Sequence, residues 1–105
     1  MYGMMLRGEY MKLAAECWSK GDIQEAAALW RKAARLYDNH AFFRLGECYE
    51  MGNGVELDMA KAYECYRLAD IFHNEQAEAQ CTRLEQFAMN RKERNKFMDT
   101  IWTKK

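Results

Sequence analysis

The residues with most chemical potential in this 105-residue chain are four cysteines and two histidines. A structural zinc site needs three or four such ligands at short spacing, commonly beginning with a CxxC pair. Cys17, Cys48, Cys65 and Cys81 stand 31, 17 and 16 residues apart and form no such pair. Each falls within an apolar-periodic segment, so the expectation is small buried thiols in a reducing compartment, with neither disulfides nor metal. His40 opens one expected helix and His73 follows another, and no nucleophile is spaced to pair with either. The single serine, Ser19, precedes Lys20-Gly21 at an expected helix end. Gly52-Asn53-Gly54 lacks the lysine and hydroxyl residue of a P-loop and the spacing of a dinucleotide-binding GxGxxG. Its glycines suit a turn that needs positive φ. Glu47 and Glu50 share a helix face and are expected to be ordinary solvated acids. The chain is therefore expected not to be an enzyme and to hold no cofactor.

Composition bounds what remains. The length suits one domain, half the residues are hydrophobic, and proline is absent. Lys and Arg balance Asp and Glu at 16 each, which argues against a strongly basic nucleic-acid binder or an acidic disordered segment. The balance is local: Asn90 to Lys105 holds six basic and two acidic residues, about +4, leaving the rest at about −4. No run approaches the ~18 apolar residues of a membrane span. Met1 to Leu6 has no basic region before its short apolar run, so no signal peptide is expected and the location expected is cytoplasmic.

Helical periodicity divides the chain into segments of about 8–19, 23–36, 40–51 and 57–72, with a last helical stretch over 75–102. Gly21 suits a left-handed helix end, and Asp22 is placed to cap the second helix. No stretch alternates with period two long enough for a strand. The first pair of helices overlays the second: Tyr10, Leu13, Ala14 and Cys17 match Phe42, Leu45, Gly46 and Tyr49 at a shift of 32 residues. Ala26, Trp30 and Ala33 match Ala62, Tyr66 and Ala69 at a shift of 36, the difference being the longer Gly52-Asn53-Gly54-Val55 loop. A small residue beside leucine lets a second helix approach closely, and the alanine–aromatic–alanine stripe faces it. The spacing predicts an all-α fold of antiparallel helix-pair repeats, a short α-solenoid. A C-terminal helix, through Ala77, Cys81, Leu84 and Ala88, would cap the stack.

The run Ala41 to Val55 (AFFRLGECYEMGNGV), followed by Asp58, Lys61-Ala62, Tyr66 and Ala69, resembles a Sel1-like repeat: leucine-glycine, tyrosine, a GxGV loop, aspartate, lysine-alanine and an aromatic residue before small ones. The segment 8–36 resembles the related tetratricopeptide repeat, 40–72 the Sel1-like pair, and 75–102 is left as the cap. Helix five lacks a leucine-glycine pair, and Asp70 stands where the pattern has a second small residue. The resemblance implies a scaffold for protein contacts, an adaptor or chaperone-like module whose first helices line a concave face. Met11, Lys12 and Trp18 in repeat one and His40, Phe43, Arg44, Glu47 and Glu50 in repeat two are the expected partner-binding residues, with Trp18 and Phe43 as exposed anchors. Alternatively, Met4, Met5 and Leu6 pack on those two rings. The expected partner is another protein, as a peptide or helix, and the short array also suits a homodimer. A second reading is a small bacterial or mobile-element regulator acting on a transcription factor, since 10–33 also resembles short helical-hairpin regulators. A third is nucleic-acid binding through Arg91, Lys92, Arg94 and Lys96, which the zero net charge argues against.

Overall fold

A computed structural model describes residues 5–86, which are all-helical with no strand among them. The elements are α1 (Arg7–Lys20), α2 (Ile23–Ala34), α3 (Asn39–Met51) and α4 (Met59–Ile71), followed by α5, helical over 77–86. α1 packs on α2, α2 on α3, and α3 on α4, so the chain is a short stack of helix pairs. The four expected helices that lie wholly within the described residues are each present, with small shifts at their ends. α2 stops before Leu36 because its last turn tightens: Leu36 and Tyr37 donate to Ala33 and Ala34, three residues back. α4 starts after Leu57, where the Asp58 carboxylate accepts the Lys61 N–H at 3.0 Å. Asp38 caps α3 in the same way through Ala41. Asp22 does not do as expected. It occupies the N-cap of α2, but its side chain makes no capping hydrogen bond, leaving its backbone carbonyl to accept from Ala26.

Two apolar clusters form the core. One joins Ala14 of α1 to Ala26, Trp30 and Ala33 of α2 and to Ala41, Leu45 and Cys48 of α3. The other joins Phe43 to Ala62, Tyr66 and Ala69 of α4 and to Ala77, Cys81 and Leu84 of α5. α3 therefore belongs to both. Its contact with α4 is unusually close at Gly46, where an added Cβ would lie 2.7 Å from Tyr66 Cε1. The loop after α3 turns back to repeat one, where Gly54, at φ +73°, places its Cα so that a Cβ would meet the Ile23 carbonyl oxygen at 2.7 Å.

The stack extends past the two expected pairs. Ala77, Cys81 and Leu84 are buried in α5, and each lies 36 residues after Ala41, Leu45 and Cys48 of α3. The turns leading into these helices match as well: Tyr37 (φ +64°) and His73 (φ +72°) are both left-handed and also 36 residues apart. The expected cap over 75–102 runs beyond the described residues. Leu13 departs from its expected inward position. Its counterpart Leu45 is buried between α2 and α3, whereas Leu13 is 39% exposed. Among the described residues α1 packs mainly on α2, so its outer face has no helix over it. That face carries Glu9 and Glu16 where α3 carries Ala41 and Cys48, a polar outer surface suited to the end of a stack.

Gly46→Ala is expected to lower stability by about 1–3 kcal/mol in urea unfolding, because the Tyr66 ring is held and cannot retreat freely. Gly21→Ala, with open space around it but φ +88°, is expected to cost only about 1 kcal/mol, the strain of the left-handed backbone.

Candidate functional site

A groove of about 600 Å³ lies between α1 and α3. Met11, Ala15, Trp18 and Ser19 of α1 form one wall, His40, Phe43, Arg44 and Glu47 of α3 the other, and Trp30 and Cys48 also line it. Asn53 of the loop after α3 and Gln76, just before α5, complete the lining. Helical geometry explains the two walls, since positions three or four apart share a face. Met11, Ala15 and Trp18 follow that spacing, and so do His40, Phe43/Arg44 and Glu47.

Six of the eight expected partner-binding residues are brought together here: Met11, Trp18, His40, Phe43, Arg44 and Glu47. Lys12 is exposed and lies outside the lining. Glu50 is also outside it and is engaged elsewhere. The Tyr66 hydroxyl donates to Glu50 Oε1 at 2.8 Å, and Arg83 Nη2 reaches both carboxylate oxygens at 2.7 Å. This half-buried knot ties α3, α4 and α5 together, so Glu50 is not an ordinary solvated acid. Glu47 is not isolated either, since Arg44 Nη1 donates to its Oε1 at 2.8 Å along α3.

The two expected anchors fare differently. Trp18 is 42% exposed and leans on Trp30 with ring centroids 5.5 Å apart. Phe43 is only 7% exposed, a correction to its expected role. Its ring packs on Tyr66 at 5.3 Å, and it belongs to the cluster that α5 helps to close. Its edge lines the groove while its body belongs to the core. Nor do the described N-terminal residues fill the groove: Met5 and Leu6 lie against Leu36, away from it. Met4 lies outside the described residues, as do Arg91, Lys92, Arg94 and Lys96, the run named for nucleic-acid contact.

Trp30, Asn53 and Gln76 were not among the expected groove residues. The spacing puts Trp30 in the core stripe, where it is buried, and its ring also backs Trp18. Gln76 stands 36 residues after His40, so the repeat shift alone would have placed it. His40 Nδ1 lies 3.5 Å from the Asn74 side-chain nitrogen, and buried Asn74 also bonds Asn39 and the Gln76 N–H. This polar cluster fixes the end of the groove nearest α5.

Chemically the groove offers an indole and a thioether for apolar contact, bordered by an ion pair and an imidazole. Among the described residues no three His, Cys, Asp or Glu side chains gather as a metal would require. All four cysteines are free thiols. Burial, aided by Glu47 beside Cys48 and Glu64 beside Cys65, pushes both thiols up from 9.0 to about 11. Burial likewise raises the Tyr66 hydroxyl, reinforced by Glu50.

The class these features define is a short helical-repeat protein. Comparison with known proteins agrees. The chain is 32% identical over 71 residues to the ERAD-associated E3 ubiquitin-protein ligase component HRD3A of Arabidopsis thaliana, covering 68% of this chain and 10% of that protein. It is 34% identical over 61 residues to HRD3B of the same plant, covering 58% of this chain and 10% of the relative. With DAP3-binding cell death enhancer 1 of Rattus norvegicus it shares 37% over 57 residues, covering 54% of this chain and 11% of the relative. The chain thus spans about a tenth of the length of these relatives. No family model matches it. No helix among the described residues is long and apolar enough to cross a membrane.

Tyr66→Phe is expected to lower stability by about 1 kcal/mol in chemical denaturation, since Glu50 keeps Arg83 but loses one charge-assisted bond. Cys48 and Cys65 are expected to alkylate at pH 8 at least about a hundredfold more slowly in the folded chain than in urea, because the thiolate is the reacting form. The sign of the pH effect follows from thiol values raised on folding: their contribution to stability is complete below pH 9.0 and fades as pH rises towards about 11.

Proposed function

We propose that this chain is a non-catalytic protein-interaction module that holds a peptide or helix of a partner protein in the groove between α1 and α3. The observation that carries this reading is Trp18: a large aromatic ring, backed by Trp30, left 42% exposed on the wall of a concave surface. An amphipathic ring fixed from behind and open in front offers contact area at little entropic cost, as expected of an interface anchor. Met11 adds an adaptable apolar surface. Arg44 and Glu47, already paired with each other, form a polar rim that orients without demanding one sign of charge. The names of the relatives support the reading at the level of class. One is called DAP3-binding and the two plant proteins are components of a ligase.

The test selects binders from a random dodecapeptide phage library on the immobilised chain, then measures affinity of the recovered peptides by fluorescence anisotropy. Trp18→Ala is expected to weaken binding at least about tenfold, and Met11→Ala by less, with helical circular dichroism unchanged. Lys32→Ala, exposed on α2, is expected to change nothing. Phe43→Ala is not a clean probe, since removing a buried ring costs about 3–5 kcal/mol of fold stability. Recovered peptides whose affinity ignores both Trp18 and Met11 would overturn the groove assignment.

A further inference from the structure

Buried Asn74 heads the turn into α5, 36 residues after Asp38, the cap of α3. Its Oδ1 accepts the Gln76 N–H at 3.0 Å. Capping needs no more than an acceptor, and the carboxylates of Asp38 and Asp58 serve for α3 and α4. What an amide adds is a donor on its second atom, and here that donor is spent at the end of the groove. Asn74 Nδ2 donates to Asn39 Oδ1 at 3.3 Å and stands 3.5 Å from His40 Nδ1.

The direction of each bond follows from main-chain groups whose roles cannot change. The Gln76 N–H can only donate, so the Asn74 atom it meets is the oxygen and the other is the amide nitrogen. The Phe72 carbonyl can only accept, and it lies 2.9 Å from the Asn39 amide nitrogen, so Asn39 turns its oxygen to Asn74. His40 Nδ1 thus faces a nitrogen that carries hydrogen, and it is the accepting nitrogen of the ring. In a neutral imidazole the proton then sits on Nε2. Nε2 has no partner among the described residues, on a side chain that is exposed and lines the groove.

His40 is the first of two donors on the α3 wall. Arg44 follows four residues on, about 6 Å along the helix axis. It gives Nη1 to Glu47 Oε1 and keeps its remaining N–H groups free among the described residues, as Glu47 keeps Oε2. The wall therefore offers donors and an acceptor with no net charge. Its complement is a main-chain edge, where carbonyl oxygens and N–H groups occur together without charge. Same-side carbonyls of an extended chain lie about 6.6 Å apart, close to the spacing of the two donors. A helix offers no such edge, because its carbonyls are bonded internally except in the last turn. Dimensions agree. Along α1 from Met11 to Ser19, about 12 Å, a groove of about 600 Å³ has a section of about 50 Å². An extended strand occupies about 5 by 10 Å, whereas a helix with its side chains is about 10–12 Å across.

Resting on the groove as the partner site, we infer that His40 bonds a main-chain carbonyl of an extended partner segment through Nε2–H. Asn74 is the positioning residue that holds the ring in that tautomer. The test combines the dodecapeptides recovered on the full chain with long-range proton–nitrogen spectra of its histidine rings at about pH 8. The wild-type His40 ring is expected to carry its proton on Nε2. Asn74→Asp keeps the acceptor for Gln76 but puts an oxygen where the amide nitrogen stood. It is expected to move the His40 proton to Nδ1 with helicity unchanged. Peptide affinity is expected to fall at least about threefold in Asn74→Asp and in His40→Phe. His40→Gln, whose amide nitrogen reaches to where Nε2 lies, is expected to recover most of that loss. One amide-to-ester replacement in the peptide, which weakens a carbonyl as an acceptor, is expected to cost affinity in wild type and nothing further in His40→Phe. An Nδ1–H tautomer in wild type, or affinity that ignores His40→Phe while still falling in Trp18→Ala, would overturn the inference and leave the groove standing. So would bound peptides that are helical, or a His40 dependence carried by an acidic side chain of the peptide. Affinity indifferent to both Trp18 and Met11 would remove the groove and this bond with it.

Discussion

The constraint on which the second and third layers depend is the approach of α3 to α4 at Gly46. The Tyr66 ring lies where a Cβ would stand, so the two helices are nearer than any side chain at that position would permit. That proximity sets the tilt of Tyr66, brings its hydroxyl to Glu50, and holds Phe43 against the ring. From Glu50 the polar chain continues to Arg83 and so to α5. The third layer of the stack is thereby registered on the second by one missing methyl group and one carboxylate. Interiors pack at crystal-like density and convert small steric differences into fixed geometry, and here the geometry runs through three helices.

The two repeats solve one structural problem with different chemistry. The position after the matched tyrosine or cysteine is Trp18 in repeat one and Glu50 in repeat two, and the facing aromatic is Trp30 in one and Tyr66 in the other. In repeat one two indoles lean together, while in repeat two a phenol donates to a carboxylate. The apolar solution leaves an indole in water and so leaves something for a partner to cover. The polar solution is closed internally, because its donors and acceptors find each other. The two first helices consequently differ, with an indole exposed on α1 and a carboxylate engaged internally on α3.

Much of the fold was legible because helical period, glycine position and repeat shift all pointed the same way. Gly21, Gly52 and Gly54 are left-handed where the turns needed them, and Ala26, Trp30, Ala33 and their counterparts are buried as matched. The site was legible at the level of face. Spacing placed Met11, Trp18, His40, Phe43, Arg44 and Glu47 around one groove but could not rank their exposure. Phe43 and Trp18 are both aromatic residues on first helices. What separates them is α5, which closes over the cluster containing Phe43 although it lacks the leucine-glycine pair of α3. Leu13 departs for the complementary reason: the repeat shift transfers side-chain identity but not neighbours, and among the described residues α1 packs mainly on α2. The engagement of Glu50 is not legible in the sequence because its partners, Tyr66 and Arg83, lie 16 and 33 residues away, beyond any local pattern.

The Gly52–Val55 loop joins α3 to α4 yet rests on the first turn of α2, with Gly54 against the Ile23 carbonyl. A connector of repeat two is thus part of the packing of repeat one. Linear repeat arrays commonly fray from their ends, each unit melting with only its neighbour's contact to lose. Here a back-reaching connector and the Tyr37–Phe72 ring contact stitch the pairs across their shared boundary on opposite ends of the helices. Opening either pair alone breaks both stitches, so the two pairs make one foldon, and the groove between them persists as long as the stack does.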